Sequence, residues 1–549
     1  MSDAWTLRGG TIVDGTGAPS RVGDVVIEGD RITSVGGKKS RGTVIDVDGL
    51  VVAPGFIDIH SHVDWILPLP DGQELVAPNV QQGITTAVAG NCGASLAPFD
   101  GETRLDRVGF SVTQMIDWRW RSVAEFLDWL ERNGMPMNVS IFVGHNTLRM
   151  SVIGEAQRPA MPSELREMQR QLDEGLDQGA LGLSIGLEYF PGRYAGPSEI
   201  GALAKVVAEK DGTLATHTRG ISALYEQAVA EVIEIALSTG CRLEISHVNP
   251  MGHANWKSVD NLFEQVEQAR AKGLDVGYDM VTYNAWMITT LDILPHFVPE
   301  EWGLDGVLAL AATEDGRSRL RNLIESTPPE WPSWIEHATT RNIVLEMGWE
   351  NLILAEPCAT EFARLRGKTL GEISTEQGRD PFDLYFDLLV ASRGEARIVN
   401  VGYAGDFEDD TPLRHLVEKP DGMPGTDTVL TLVPEKGPRL TLPLFWGTMP
   451  RFIGHFARDL GLVTLENAVH RMTQLPAERV KLAGRGVLAE GAFADVTVFD
   501  WDTISDRGTY LDPEPAAGIQ HVFVNGRQVT KDGECDVEVP AGRGLRRGV

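Results

Sequence analysis

Nine short apolar runs, each breaking into a polar or glycine-rich turn, punctuate the middle of the chain. They are GFIDIHSH, ITTAVAGNC, NVSIFVGHN, GALGLSIGL, TLATHTRG, RLEISHVN, LDVGYDMV, ARIVNVGY and MPGTDTVL. Amphipathic stretches such as SELREMQRQLDEGLDQG and SALYEQAVAEVIEIALSTG lie between them. Apolar runs without a polar alternate face are strands buried on both sides, and intervening helices make them parallel. Eight βα units of this kind close a barrel, so the expected architecture is α/β, a (β/α)8 barrel of TIM type with one run left over.

The two ends have a different grammar. TLRGGTIVDG, DVVIEGDRITSVG and TVIDVDGLVVAPG at the start, and FADVTVFDWDTI and HVFVNGRQV near the end, are short Val/Ile/Thr runs divided by Gly and Asp turns. Strand runs at both termini around an α/β middle predict a small β-sandwich domain from residues 1–54 and 484–549, with the barrel over 55–483. Residues 285–350 interrupt the rhythm. They hold Trp286, Trp302, Trp331, Trp334 and Trp349 around the turn-rich STPPEWPSW, which predicts an inserted subdomain or lid beside the barrel mouth.

Composition removes several function classes. Lys and Arg number 49 against 78 Asp and Glu, a formal charge of −29, and a surface that acidic repels nucleic acid and anionic membranes. No apolar run reaches the ~18 residues of a membrane span, and the start MSDAWTLRGG lacks the basic and apolar regions of a secretory signal. The four cysteines, Cys92, Cys241, Cys358 and Cys535, are scattered, which fits a reduced, cytoplasmic protein. The oligomeric state stays open, a homo-oligomer included.

Active sites of parallel barrels form where the strands end, and here the strand ends carry metal-ligand residues. His60 and His62 share one face of the first strand because strand side chains repeat every two residues. Cys92 ends the second, His217 ends TLATH, His247 ends RLEISH and Asp427 ends MPGTD. Any one is unremarkable in isolation. Together they make a pocket of N, S and O donors suited to Zn²⁺, with glycines beside Cys92 for close backbone approach.

The combination GFIDIHSHVD, GNCGASLAP, GHNTLR, GLSIGLEYFPG, THTRG, ISHVNPMGHANW and GRGVLAEGAFADVTVFD resembles the amidohydrolase superfamily, and within it the D-aminoacylase (N-acyl-D-amino-acid deacylase) branch. The likeness runs from about Gly9 to Arg546, and GNCG is the element particular to that branch. It implies a tight zinc site at Cys92, His217 and His247 and a weaker one at His60, His62 and Asp427. It also implies amide hydrolysis by activated water, with Asp427 as general acid/base and Tyr189 as an oxyanion-side donor. Asp406, in YAGDF, competes with Asp427 for the acid/base role. His145 is expected behind the ligands rather than among them.

Three positions depart from the branch. Its members grip a substrate carboxylate with a lysine two residues past the histidine matching His247, with a serine, and with an arginine. Here these are Asn249, Met287 and Leu444, while Tyr283 is kept. A buried carboxylate without a cation is costly, and a pocket lined by Trp286, Met287, Leu444, Phe445 and Trp446 favours an apolar group. The expectation is therefore a small-molecule hydrophobic amide lacking a free α-carboxylate, unless Arg451 or Arg193 takes the anion. The alternatives are an N-acyl-D-amino-acid deacylase, a cyclic amide hydrolase, and a non-catalytic protein on the same fold.

Overall fold

The computed structural model describes residues 4–108, 112–335, 337–433 and 436–548. In the middle of the chain, strands Phe56–Asp58, Ile84–Ala89 and Asn138–Ile141 run parallel. Phe142 alone separates the last of these from Val143–Gly144, which continues the parallel path. That path proceeds through Gly182–Gly186, Thr213–His217, Arg242–Ile245, Val276–Met280 and Gly422–Pro424. Nearly every residue of these strands is buried, as the continuous apolar runs require. Just beyond Gly422–Pro424, Ser61 bridges Thr428, the Asp427 amide donates to His60 O over 2.8 Å, and the His62 amide donates to Thr428 O over 2.9 Å.

The helices between the strands start and stop where their sequences dictate. Ser122 and Glu125 form a reciprocal cap on Val123–Asn133, and Gly240, left-handed at φ 70°, ends Tyr225–Thr239. Among the described residues no helix is long and apolar enough to cross a membrane.

The leftover run is ARIVNVGY. Arg397–Val401 stands apart from the parallel path and pairs antiparallel with Ala285–Thr289 on one side and Leu352–Glu356 on the other. This small sheet and the helices Phe297–Ala311, Glu314–Ser326 and Pro381–Ala391 share a second hydrophobic core that includes Ile288, Leu320, Leu354, Tyr385 and Ile398. The unit opened by the Trp-rich segment thus continues past residue 350 to Val401. Periodicity could not show this, because Arg397–Val401 pairs with one strand more than a hundred residues earlier.

Both termini enter one sheet. Val51–Pro54 pairs antiparallel with Val496–Phe499, which joins the N-terminal strands to the C-terminal ones in a nine-stranded assembly. Leu7, Ile27, Val52, Val496 and Phe523 from both halves meet in its core. A buried polar knot fastens this sheet to the parallel strands. Asp495 accepts from the Asn525 amide (2.8 Å) and from Asn138 Nδ2 (3.2 Å), Asn525 Nδ2 donates to Asn138 Oδ1 (2.7 Å), and Arg485 pairs with Asp495. Both members of that ion pair are buried. Asp495→Ala should strand the Arg485 guanidinium without a counter-ion and cost about 3–5 kcal/mol, read as a lower urea midpoint with an unchanged slope.

Candidate active site

The strand ends converge as the spacing of their polar residues implies. His60, His62, Cys92 and Asp427 form one donor set, and Cys92, His217 and His247 form another, with the ligand atoms of each within 4.8 Å of one another. Cys92 belongs to both. Its Sγ lies 3.3 Å from His60 Nε2, 3.6 Å from His247 Nε2 and 3.9 Å from His217 Nδ1. His217 Nδ1 and His247 Nε2 are 2.9 Å apart, while Asp427 Oδ1 lies 3.1 Å from His62 Nε2 and 3.4 Å from His60 Nε2.

Local backbone chemistry makes this convergence possible. Cys92, His247 and Asp427 all have left-handed φ, at 51°, 34° and 47°. Such conformations are costly for residues with a Cβ and persist where the surroundings impose them, which is typical of functional sites. Gly186, at the end of Gly182–Gly186, leaves room for the Cys92 carbonyl, and a Cβ there would overlap it.

The electrostatics favour a metal. Burial lowers the pKa of His60 to about 4, and burial together with the nearby His217 and His60 lowers that of His247. Burial opposes ionisation of Asp427, but His60 and His62 hold its carboxyl below the usual range. Burial and the carboxylates of Asp427 and Asp279 push the Cys92 thiol well up. Neutral imidazoles and an ionised carboxylate are ready ligands, and the thiol loses its proton when a cation arrives. Buried soft and borderline donors at these separations fit zinc in both sets.

Three acidic or basic residues that the strand-end reading passed over hold the ligands in place. Asp279 Oδ1 accepts the His247 amide over 2.7 Å, and its Oδ2 lies 3.3 Å from His60 Nδ1. Glu188 Oε2 lies 3.0 Å from His217 Nε2, and Arg341 Nε lies 3.3 Å from Glu188 Oε1. Burial opposes ionisation of Glu188, but Arg341 and His217 bring its pKa to about 2. Asp279 has a readable signal, since it sits near the end of its own strand as His217 and His247 do on theirs. Glu188 and Arg341 have no comparable mark.

Two cavity lobes open on the donors. The larger, about 500 Å³, reaches His62, Cys92 and Asp427 and is walled by Val108, Phe190, Met287, Leu430 and Leu432, with Arg107 and Arg397 also present. The smaller, about 140 Å³, reaches His217, His247 and Asp427 past Tyr283, Tyr403 and Arg341. Tyr189, Trp286, Met287 and Asp292 line both. The Tyr189 ring centre is 4.4 Å from that of His217.

The remaining expected residues divide. Trp286, Met287 and Tyr283 reach the cavity. Tyr283 already donates its hydroxyl to Asp506 over 3.0 Å. Asn249 faces the small lobe, but both ends of its amide are taken by the Val281 backbone at 2.9 Å, so it braces the wall. Leu444 is fully buried, packs in the main core and touches neither lobe, which corrects its expected place in the pocket. Its helix, Leu444–Arg451, turns that side chain inward, a direction invisible in an ungapped match. Trp446 is likewise displaced. Its indole donates to Leu440 O over 3.2 Å, and the ring lines a neighbouring cavity of about 600 Å³. Phe445 is buried against the Trp286 ring.

Asp406 accepts from the Glu408 and Asp409 amides in its own turn and joins neither donor set. His145 pairs with Glu199 at 2.9 Å. Arg193 pairs with Glu300 and Arg451 with Asp506, each at 3.1 Å, and neither faces a lobe.

Residues 43–530 match the model of the amidohydrolase family, and the chain belongs to that family. It is 32% identical over 551 residues to a D-aminoacylase of Alcaligenes xylosoxydans xylosoxydans, covering 98% of this chain and 97% of the relative. A D-aminoacylase structure described for its binuclear metal centre superposes with a TM-score of 0.75 at 31% identity over 100% of both chains. An N-acyl-D-glutamate deacylase from Bordetella bronchiseptica, solved with zinc and a phosphonate inhibitor, gives 0.75 at 29% identity over 99% of both. The family assignment and the geometry agree on a metal-binding hydrolase.

Cys92→Ala removes the donor common to both sets. After dialysis against a chelator, the purified variant is expected to retain less metal than the parent protein, measured by atomic emission. Retention of a full equivalent would remove Cys92 from the ligands.

Proposed function

We propose that this chain is a zinc-dependent hydrolase that cleaves the amide C–N bond of a small hydrophobic substrate. The carrying observation is Cys92, shared between two donor sets, with Asp427 of one set on the wall of both lobes. Cys92, His217 and His247 would hold the tighter ion, and His60, His62 and Asp427 a weaker second one. Zinc there would supply Lewis acidity and lower the pKa of a bound water. The rest falls to the protein. Asp427, kept ionised by His60 and His62, accepts the proton of the attacking water and returns it to the departing nitrogen. The Tyr189 hydroxyl, protonated at neutral pH, donates to the carbonyl oxygen as negative charge grows on it.

The lining supports an apolar substrate without an α-carboxylate. Val108, Phe190, Trp286, Met287, Leu430 and Leu432 offer hydrophobic contact. Arg341 is neutralised by Glu188, and Arg193 and Arg451 are spent on other carboxylates. One observation favours the second reading, an N-acyl-D-amino-acid deacylase like the relatives. Arg397 lines the large lobe, donates to Leu432 O over 2.8 Å, and has no carboxylate at ion-pair distance among the described residues. The architecture we propose is a closed eight-stranded barrel over 55–483, supported by the Ser61–Thr428 bridge. Residues 1–54 and 484–549 would make up the small β domain, its nine-stranded sheet enclosing a core that draws on both ends of the chain.

Asp427→Asn should keep the first zinc equivalent and the fold yet lose at least ~10²-fold in kcat. A near-wild-type rate would take the proton transfer away from Asp427. For substrate choice, an aryl or long-chain amide should exceed N-acetyl-D-leucine at least ~10-fold in kcat/KM, about 1.4 kcal/mol. The reverse order, abolished in Arg397→Gln, would establish the deacylase reading.

A further inference from the structure

His217 can present Nδ1 to a metal only if its ring is held in one orientation and its other nitrogen keeps a proton. Glu188 does this holding, from a fully buried position 3.0 Å from His217 Nε2. Its second oxygen, Oε1, faces Arg341 Nε at 3.3 Å, and Arg341 Nη2 lies 3.3 Å from His296 Nε2. Both Arg341 and His296 belong to the unit that begins at Ala285, far in sequence from Glu188 and outside the parallel strands.

Arg341 is not a loose side chain that drifts to a carboxylate. Its carbonyl accepts from Thr339 Oγ1 over 2.9 Å. The next residue, Asn342, caps the helix Ile343–Met347 and donates to Ile324 O and Thr327 O at 2.7 and 2.9 Å. The same stretch grips the loop that follows His217. Glu346 Oε1 accepts the Ala223 amide over 3.1 Å, Ser222 Oγ donates to Thr340 O over 3.4 Å, and Ile221 packs into the core of the inserted unit. The insertion therefore holds the His217 strand end from behind, through Glu188, and from in front, through residues 221–223.

We infer that Arg341 is a positioning residue of the tighter metal site, acting through Glu188 on His217, so that seating of the inserted unit completes the site. The inference rests on Cys92, His217 and His247 being the donors of that site. Partners of metal-bound histidines commonly influence affinity ~10–100-fold, and the guanidinium restrains the carboxylate that would otherwise have one free oxygen.

The test uses full-length protein loaded with Co²⁺ as a visible probe and Zn²⁺ in chelator competition. Arg341→Met should weaken the first zinc equivalent at least ~10-fold and shift the Co²⁺ ligand-field bands, with far-UV circular dichroism unchanged. Arg341→Lys should recover part of both. In combination with Glu188→Gln, Arg341→Met should add little, because residues acting along one chain of contacts are not additive. An Arg341→Met protein with wild-type zinc affinity and an unchanged Co²⁺ spectrum would overturn the inference, as would full additivity. Should Arg341→Met unfold, Arg341→Lys and Glu188→Gln carry the same comparison, and wild-type affinity in Glu188→Gln would overturn it. Wild-type protein that takes up no Co²⁺ would instead remove the donor assignment itself, a separate and recognisable failure.

Discussion

The crowding of imidazole nitrogens around one thiol is the constraint on which the rest of the structure turns. Cys92 Sγ has three such nitrogens within 3.9 Å, from histidines at or just past the ends of three different strands. Brought together without a cation, these groups gain little from one another. Burial works against charging His60 and His247 and against ionising the thiol. The cluster is held by the scaffold instead: by left-handed backbone at Cys92, His247 and Asp427, by the glycine at 186, and by the Asp279 carboxylate that clasps the His247 amide. A site assembled at this local cost is preorganised, and metal binding at the donor sets recovers the cost by satisfying their donors.

That dependence explains which parts were legible in the sequence. Donor residues at strand ends could be read because strand periodicity fixes their side: His60 and His62 share a face, and the apolar run before each of Cys92, His217 and His247 marks where its strand stops. The groups that hold the donors could not be read. Glu188 and Arg341 are 153 residues apart in sequence, and an ion pair between distant segments leaves no periodic trace. The same limit applied to Arg397. Its run has the grammar of a barrel strand, yet hydrogen bonding to Ala285–Thr289 and Leu352–Glu356 places it in the inserted unit.

Matching positions to relatives located residues well but not side-chain directions. Met287 and Leu444 both stood as apolar replacements for polar groups. Only Met287 faces the cavity, because it lies on a strand that walls both lobes, whereas Leu444 opens a helix and turns into the core. Asn249 reaches the small lobe but spends its amide on the Val281 backbone. A replaced residue says that an interaction has gone. It does not say that the environment left behind is apolar, since a neighbouring strand can bring a new charge to the same wall.

Arg397 shows how such a charge arrives. In the antiparallel register it stands opposite Thr289, while Val399 stands opposite Met287. Alternation along a strand puts 397 and 399 on one face and 287 and 289 with them. The guanidinium therefore shares the face of Met287 and lines the same lobe. No carboxylate of the described residues lies at ion-pair distance from it, unlike Arg193, Arg341 and Arg451. Under the proposed function, apolar contact and the Arg397 cation pull substrate choice in opposite directions. A neutral amide gains from the hydrophobic wall but leaves the partly buried guanidinium unpaired. A carboxylate answers the guanidinium but must shed its water beside Asp292 and Asp427. The inserted unit thus reaches the site at two places, with Arg397 on the wall of the large lobe and Arg341 against Glu188 behind His217.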